Sequence, residues 1–178
     1  MAALAVSALC LANGVGAQTM ANPSFEAESF SVAPGYISGN RAITGWTASN
    51  PDRAGLNPAD GSPFAGSGTV PDGANVAFIQ STGIGSTTLS TTLTGLTAGR
   101  SYRLIFRANS RPAYTPPIAS YSIAGGTPVA FVASPAVEGA AGYYFVAGNF
   151  TATASTTSLV IRNETTTAAA DSALLVDD

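Results

Sequence analysis

The sequence contains no histidine and no lysine, and Cys10 is the only cysteine among its 178 residues. Histidine is the commonest general base and metal ligand, while cysteine supplies nucleophiles and disulfides. The usual serine-hydrolase triad, cysteine catalysis, most zinc sites and a disulfide framework are therefore excluded. Charge is also scarce, since 10% of residues are charged and the formal net charge is -3. A nucleic-acid partner normally requires a basic patch, so the composition disfavours this class.

Long apolar runs are missing after the first dozen residues, although the mean hydropathy is +0.25. Nothing approaches the roughly 18 apolar residues of a spanning helix, and no transmembrane segment is predicted. Residues 2–12 form a short apolar run, and the small residues Val15, Gly16 and Ala17 follow. This pattern predicts a secretory signal peptide over residues 1–17, which would carry Cys10 away. The basic segment that usually precedes the apolar run is absent, and a buried N-terminal helix is the alternative.

The remaining residues, 18–178, predict one domain built from β-strands. Short runs of β-branched and aromatic residues recur between clusters of turn-forming residues, with no 3.6-residue period. The clearest strand is Arg100–Asn109, where apolar side chains alternate with Arg103 and Arg107. Further strands are predicted at 74–81, 87–93, 118–124, 129–133, 143–153, 158–162 and 173–177. The pattern is typical of an antiparallel β-sandwich.

Two irregular segments interrupt these strands. Residues 47–73 are nearly all turn formers, and residues 111–117 contain three prolines and Tyr114. Loops as long as the first are usually functional in a compact domain, and aromatic residues on loops often contact ligands. The two segments are therefore where a binding site is expected.

Five elements follow one another in a familiar order. They are Asn22-Pro23-Ser24-Phe25-Glu26, Gly45-Trp46-Thr47, the run 70–80, the strand 96–107 and the ending Leu174-Leu175-Val176-Asp177-Asp178. In this order and spacing the chain resembles the galactose-binding-domain-like superfamily, in particular secreted bacterial domains related to carbohydrate-binding modules. The resemblance implies an all-β jelly-roll sandwich that binds carbohydrate outside the cell.

The resemblance also implies a structural calcium ion at the edge where the first and last strands meet. Carried over residue by residue, Glu26 and Asp177 would be the side-chain ligands, with Asp178 and Asn22 as helpers. Calcium favours such a set, because it binds carboxylate and carbonyl oxygens in a flexible shell. The alternative is that Glu26 faces solvent and the terminal aspartates form a solvated end.

The family pattern usually runs on for several strand residues where this sequence stops. We therefore expect either a domain truncated at its C-terminus or a piece of a longer protein with an anchor or a catalytic domain.

A sugar site combines an aromatic ring with polar groups that bind hydroxyls. The candidates are Arg111, Arg107, Gln80, Tyr114, Trp46 and Asn109. Arg111 is the strongest of them, because the family often has an arginine at this position. The alternatives are core packing for Trp46, packing over the core edge for Tyr114 and a salt-bridged sheet face for Arg107.

No acidic residue lies in a recognisable catalytic motif, and no Gly-x-Ser-x-Gly elbow opens a helix. The sequence therefore predicts a non-catalytic, secreted or cell-surface domain that binds a carbohydrate or another surface component. The alternative is a structural or adhesive envelope domain that binds no sugar. A sugar binder should gather its rings with Arg111, Arg107 or Gln80 on one concave patch, whereas a scaffold should scatter them.

Overall fold

The structure, a computed structural model, describes residues 18–83, 85–166 and 171–178. The predicted signal peptide lies outside these ranges. Within them the chain forms twelve strands, and none of the described residues forms a helix able to cross a membrane. The strands are β1 (Thr19–Met20), β2 (Gly35–Tyr36), β3 (Trp46–Ala48), β4 (Ala54–Pro58), β5 (Asn75–Ser81), β6 (Thr87–Thr94), β7 (Ser101–Ser110), β8 (Ala119–Ile123), β9 (Val129–Phe131), β10 (Tyr144–Thr151), β11 (Thr157–Asn163) and β12 (Ser172–Asp177).

The strands form two sheets in which every strand pair is antiparallel. Sheet A has the order β1-β6-β11-β8-β9, and β3 also pairs with β6. Sheet B has the order β10-β7-β12-β5-β4-β2. This arrangement confirms the predicted antiparallel β-sandwich, and each predicted strand overlaps an observed one.

The prediction of one irregular segment over residues 47–73 was wrong in part, because the segment contains β4 and the end of β3. Glycine, asparagine and proline in this segment indicate turns, yet β4 pairs with both β2 and β5. Gly55 allows the first of these pairings, since a Cβ there would lie 2.0 Å from the carbonyl oxygen of Gly35. Close backbone approach therefore outweighs the weak strand propensity of the segment.

The main core lies between the sheets. On β7, the even-numbered side chains Tyr102, Leu104 and Phe106 face this core, as their alternation predicts. They pack with apolar residues of sheet A that include Leu89, Leu93, Tyr121, Leu159 and Ile161.

A second apolar cluster covers the opposite face of sheet B, which we call its outer face. Its buried members are Phe64, Val76, Phe78, Tyr143, Ala173 and Leu175. Strands β5 and β12 are therefore buried on both faces, which explains why both read as continuous apolar runs. The segments around Phe64 and Tyr143 form a layer over part of this face.

Asn109 on β7 fastens that layer to sheet B. Its buried side chain accepts a hydrogen bond from the N–H of Val137 at 2.9 Å and donates to the carbonyl of Val137 at 3.1 Å. It also donates to the carbonyl of Ser67. One side chain thus holds two covering segments, because buried peptide groups need partners.

Candidate functional site

Polar and aromatic side chains from five segments meet at one end of the outer face of sheet B. Tyr36 lies on β2, Gln80 on β5, Arg111 directly after β7, Tyr114 in the following loop and Asp171 directly before β12. Strand pairing brings them together, because β12 lies between β5 and β7. We call this set the Arg111 cluster.

Arg111 is held between a carboxylate and an aromatic ring. Its Nη1 donates to Asp171 Oδ2 at 2.9 Å, and its guanidinium carbon lies 3.4 Å from the centre of the Tyr114 ring. The Arg111 side chain is 14% exposed and that of Asp171 is 41% exposed. Such an ion pair with cation–π stacking fixes the planar guanidinium in one orientation. Its Nε is buried, so the terminal Nη groups are the donors that a ligand could meet without a large ordering cost.

Gln80 links Asp171 to the second tyrosine of the cluster. The buried amide accepts a hydrogen bond from the Tyr36 hydroxyl at 2.6 Å and donates weakly to Asp171 Oδ1 at 3.5 Å. Burial raises the pKa of the Tyr36 hydroxyl, while the positive charge of Arg53 opposes this rise. Tyr36 therefore remains a protonated donor, and the carboxylate of Asp171 is oriented from two sides.

The structure brings three of the six predicted contact residues into this cluster: Arg111, Tyr114 and Gln80. Arg107 lies four residues earlier on β7, outside the cluster. Asn109 is fully buried between them and holds the covering segments.

Trp46 lies in the core, where a ring is packed too closely to serve as a sugar platform. Its ring centre is 5.0 Å from that of Phe25, and its Nε1 donates to the carbonyl of Asn22 at 3.0 Å. Trp46 therefore occupies the position described by the alternative given for it above, namely packing in the core.

Glu26, a predicted calcium ligand, docks on the turn at residues 71–75 that leads into β5. Its Oε1 accepts hydrogen bonds from the backbone N–H groups of Ala74 at 3.0 Å and Asn75 at 2.7 Å. Gly73 makes this approach possible, because a Cβ there would lie 2.3 Å from the Glu26 carboxyl carbon. Glycine also accommodates the φ of 65° at this position.

Asp177, at the end of β12, contacts the same turn from the other side. Its Oδ2 accepts from the N–H of Asp72 at 3.0 Å, and its Oδ1 accepts from the N–H of Asp178 at 2.8 Å. Burial raises the pKa of Asp177 to about 8, and the negative charges of Asp178 and Asp72 add to the rise, although the two N–H donors oppose it. A cation at this carboxylate would therefore relieve an unfavourable electrostatic environment.

The other two predicted ligands contact different partners. Asn22 donates to Glu28 Oε2 at 2.9 Å and accepts from the N–H of Ala27 at 2.9 Å. Asp178 faces Arg107, with 3.6 Å between its Oδ2 and the arginine Nε. Across the described residues, no three acidic or cysteine side chains gather closely enough to hold a metal ion.

Tyr36 and Asp171 are members of the cluster outside the six predicted contact residues, and Asp171 was not singled out for binding at all. It belongs to no motif, and its partner Gln80 lies 91 positions away. Only its place before an apolar run, where a charge would lie at a strand end, could have suggested it.

Comparison with known structures and families agrees with this fold. The two antiparallel sheets form the β-sandwich that the sequence motifs predict. The chain belongs to the HpiC1-like family, described as HpiC1 cyclase, whose family model matches residues 17–169. No curated protein sequence matches the chain significantly.

Two solved structures illustrate the likeness in fold. TmCBM61, solved in complex with β-1,4-galactotriose, is 16% identical with a TM-score of 0.52, and the match covers 92% of this chain and 96% of that one. The K2 cleaved adhesin domain of Lys-gingipain is 14% identical with a TM-score of 0.50, over 91% and 96% of the two chains. At these identities the likeness shows the fold alone.

Proposed function

We propose that this chain is a secreted or cell-surface domain that binds a carbohydrate at the Arg111 cluster and catalyses no reaction. The observation that carries the proposal is the fixed guanidinium of Arg111, held between Asp171 and Tyr114. The fold that the chain shares with a carbohydrate-binding module supports the same ligand class.

The cluster offers the groups that a sugar ring requires. Tyr114 is 44% exposed and presents apolar ring surface, while Arg111 supplies donors and Asp171 supplies acceptors. Sugar hydroxyls both donate and accept hydrogen bonds, and the C–H face of the ring packs on aromatic surface. The Arg111–Asp171 ion pair therefore lies beside the apolar ring surface of Tyr114, which is the arrangement expected of a site that binds a pyranose.

Replacing Arg111 by alanine is expected to weaken binding to a galactan about 10- to 100-fold, because a hydrogen bond to a charged group contributes about 1.5–3 kcal/mol. Binding is measured by affinity electrophoresis in β-1,4-galactan, with a wider glycan array as the first screen. The matched control is Arg103→Ala, which removes an exposed arginine from β7 and should leave binding unchanged.

Two results would contradict this assignment. Equal retardation of the wild-type protein and Arg111→Ala would remove Arg111 from the site. Failure of the folded protein to bind any glycan would favour the structural or adhesive alternative, which the fold shared with an adhesin domain supports.

The family description names a cyclase, so catalysis is the other alternative to test. We infer a non-catalytic role because the chain lacks histidine, and because Asp171 and Asp178 are each paired with an arginine. We expect that any compound that binds the purified protein is recovered chemically unchanged after prolonged incubation with it. Conversion of the compound by the purified protein, detected by mass spectrometry or NMR, would overturn the inference.

We also propose that calcium binds where Glu26 and Asp177 meet the turn at residues 71–75. Glu26 Oε2 makes no hydrogen bond to any described residue, and the carboxylate of Asp177 is buried beside two other acids. Since calcium accepts six to eight oxygens, backbone carbonyls and water would complete the shell. The ion would join the segment that contains Glu26 to the end of β12.

Calcium at 100 times its dissociation constant is expected to stabilise the wild-type fold by about 2.7 kcal/mol, which raises the melting temperature by about 5–10 °C. The comparison is between excess calcium and a chelator in differential scanning calorimetry. Glu26→Gln should remove this rise, whereas Glu138→Gln, a substitution distant in sequence from the turn, should retain it. An equal melting temperature with and without calcium in the wild-type protein would refute the site.

A further inference from the structure

The outer face of sheet B has a cavity at the end opposite the Arg111 cluster. Its volume is about 230 Å³, and its walls include Val70, Pro71, Arg107, Tyr143 and Asp178. This volume is below the roughly 300–1,000 Å³ of sites for drug-sized ligands, so the cavity suits one small ring.

This cavity is separate from the Arg111 cluster. Arg107 and Arg111 are four residues apart along β7 and its continuation, a distance of about 13 Å at strand geometry. Between them, Asn109 is buried beneath the segments that carry Ser67 and Val137. A ligand of one ring therefore cannot contact both arginines.

The polar groups of the cavity have capacity for further hydrogen bonds. Arg107 Nε, 3.6 Å from Asp178 Oδ2, is buried, whereas the Arg107 side chain as a whole is 38% exposed. Its terminal Nη groups are therefore the donors that a ligand would meet. The Tyr143 hydroxyl hydrogen-bonds to no described residue, so it can donate to a ligand. A guanidinium, a carboxylate and a hydroxyl thus border one small space.

Apolar surface adjoins these groups. Val70 and Pro71 form one wall, and Phe145 on β10 pairs with Arg107 in sheet register. The Phe145 ring is 53% exposed, with the Arg107 guanidinium carbon 4.9 Å from its centre. The stacking orients Arg107 towards the cavity and leaves part of the ring accessible beside it.

We propose that this cavity is a second carbohydrate site, which takes a single pyranose residue. Adjacent donors and acceptors match the vicinal hydroxyls of a sugar, and the apolar wall matches its C–H groups. The inference shares its ligand class with the proposed function but does not depend on the Arg111 cluster.

Two sites on one face would make the domain bivalent towards a polysaccharide. Binding at the second site becomes intramolecular once the first is filled, which raises the apparent affinity for long chains without new contacts. The apparent affinity for a monosaccharide would not be raised, because a monosaccharide cannot reach both sites at once.

The experiment is a titration of the isotope-labelled protein with methyl β-D-galactopyranoside, followed by amide chemical shifts in ¹H–¹⁵N spectra. Shifts of Gly142 and Tyr143 report on the cavity, whereas shifts of Gln80 and Tyr114 report on the Arg111 cluster. We expect saturable shifts at the cavity. The two groups of signals separate a failure of this inference from a failure of the proposed function.

Three variants test the assignment to residues. Arg107→Ala and Tyr143→Phe are expected to raise the concentration for half-saturation at the cavity about 10-fold or more. Arg103→Ala, on the same strand, should leave that concentration unchanged, as should Arg111→Ala. Tyr143→Phe removes only a hydroxyl and keeps the buried ring, so the test survives if Arg107→Ala fails to fold.

Either of two results would overturn the proposal. One is the absence of saturable shifts at Gly142 and Tyr143 with the galactoside and with the corresponding glucoside and mannoside. The other is unchanged half-saturation in both the Arg107 and the Tyr143 variants.

Discussion

Replacing Phe78 by alanine is expected to lower the free energy of unfolding by about 3–5 kcal/mol, the usual range for a fully buried phenylalanine. Phe78 lies on β5 in the outer apolar cluster and is completely buried. Its ring centre is 5.1 Å from that of Tyr36 and 5.3 Å from that of Phe64. The substitution would therefore leave a cavity directly beneath the Arg111 cluster.

Urea denaturation followed by circular dichroism measures this effect. Phe78→Leu is the graded control, because it keeps most of the apolar volume and should cost clearly less than alanine. We also expect the alanine variant to bind sugar more weakly, since the packing that positions Tyr36 is lost. A loss of stability below about 1 kcal/mol would show that the outer cluster contributes little to the fold.

Replacing Asn109 by alanine is expected to lower the free energy of unfolding by about 3 kcal/mol, because each buried polar group left unpaired costs about 1–3 kcal/mol. Three backbone groups lose their partner, two on Val137 and one on Ser67. Both segments that this side chain fastens to sheet B should then exchange their amide hydrogens faster.

Asn149→Ala is the matched control for this measurement. Asn149 lies on β10, is exposed and should change the free energy of unfolding by no more than about 0.5 kcal/mol. If Asn109→Ala were equally harmless, the covering layer would be held by its apolar contacts alone. Hydrogen exchange in the two covering segments would then match the wild type.

The fold was predictable where alternation or turn chemistry is local. The face of β7 follows directly from Tyr102, Leu104 and Phe106, and the boundaries of the later strands follow from the turn residues between them. β4 was missed because its pairing depends on the approach of Gly55 to Gly35, which no local pattern encodes. Tertiary contact decided that segment, as is common for strands.

The candidate site was predictable in composition but only in part in the grouping of its residues. Arg111, Tyr114 and Gln80 were expected near one another and lie together. Arg107 was expected on the same patch, yet the buried Asn109 divides the outer face of β7 into two regions. Alternation along β7 places Arg107, Asn109 and Arg111 on the outer face. Which of these side chains remains accessible depends on the segments that cover this face, and no local pattern predicts where those segments lie.

The position of β12 has a consequence for how the protein acquires its structure. It is the last of the described strands in sequence, yet it lies between β5 and β7 in the middle of sheet B. Until its residues emerge from the ribosome, sheet B consists of two separate halves, and the contacts that join them span nearly a hundred positions. Such long-range pairing folds slowly. For the exported protein that we propose, late completion of the sheet would keep the chain unfolded while it crosses the membrane.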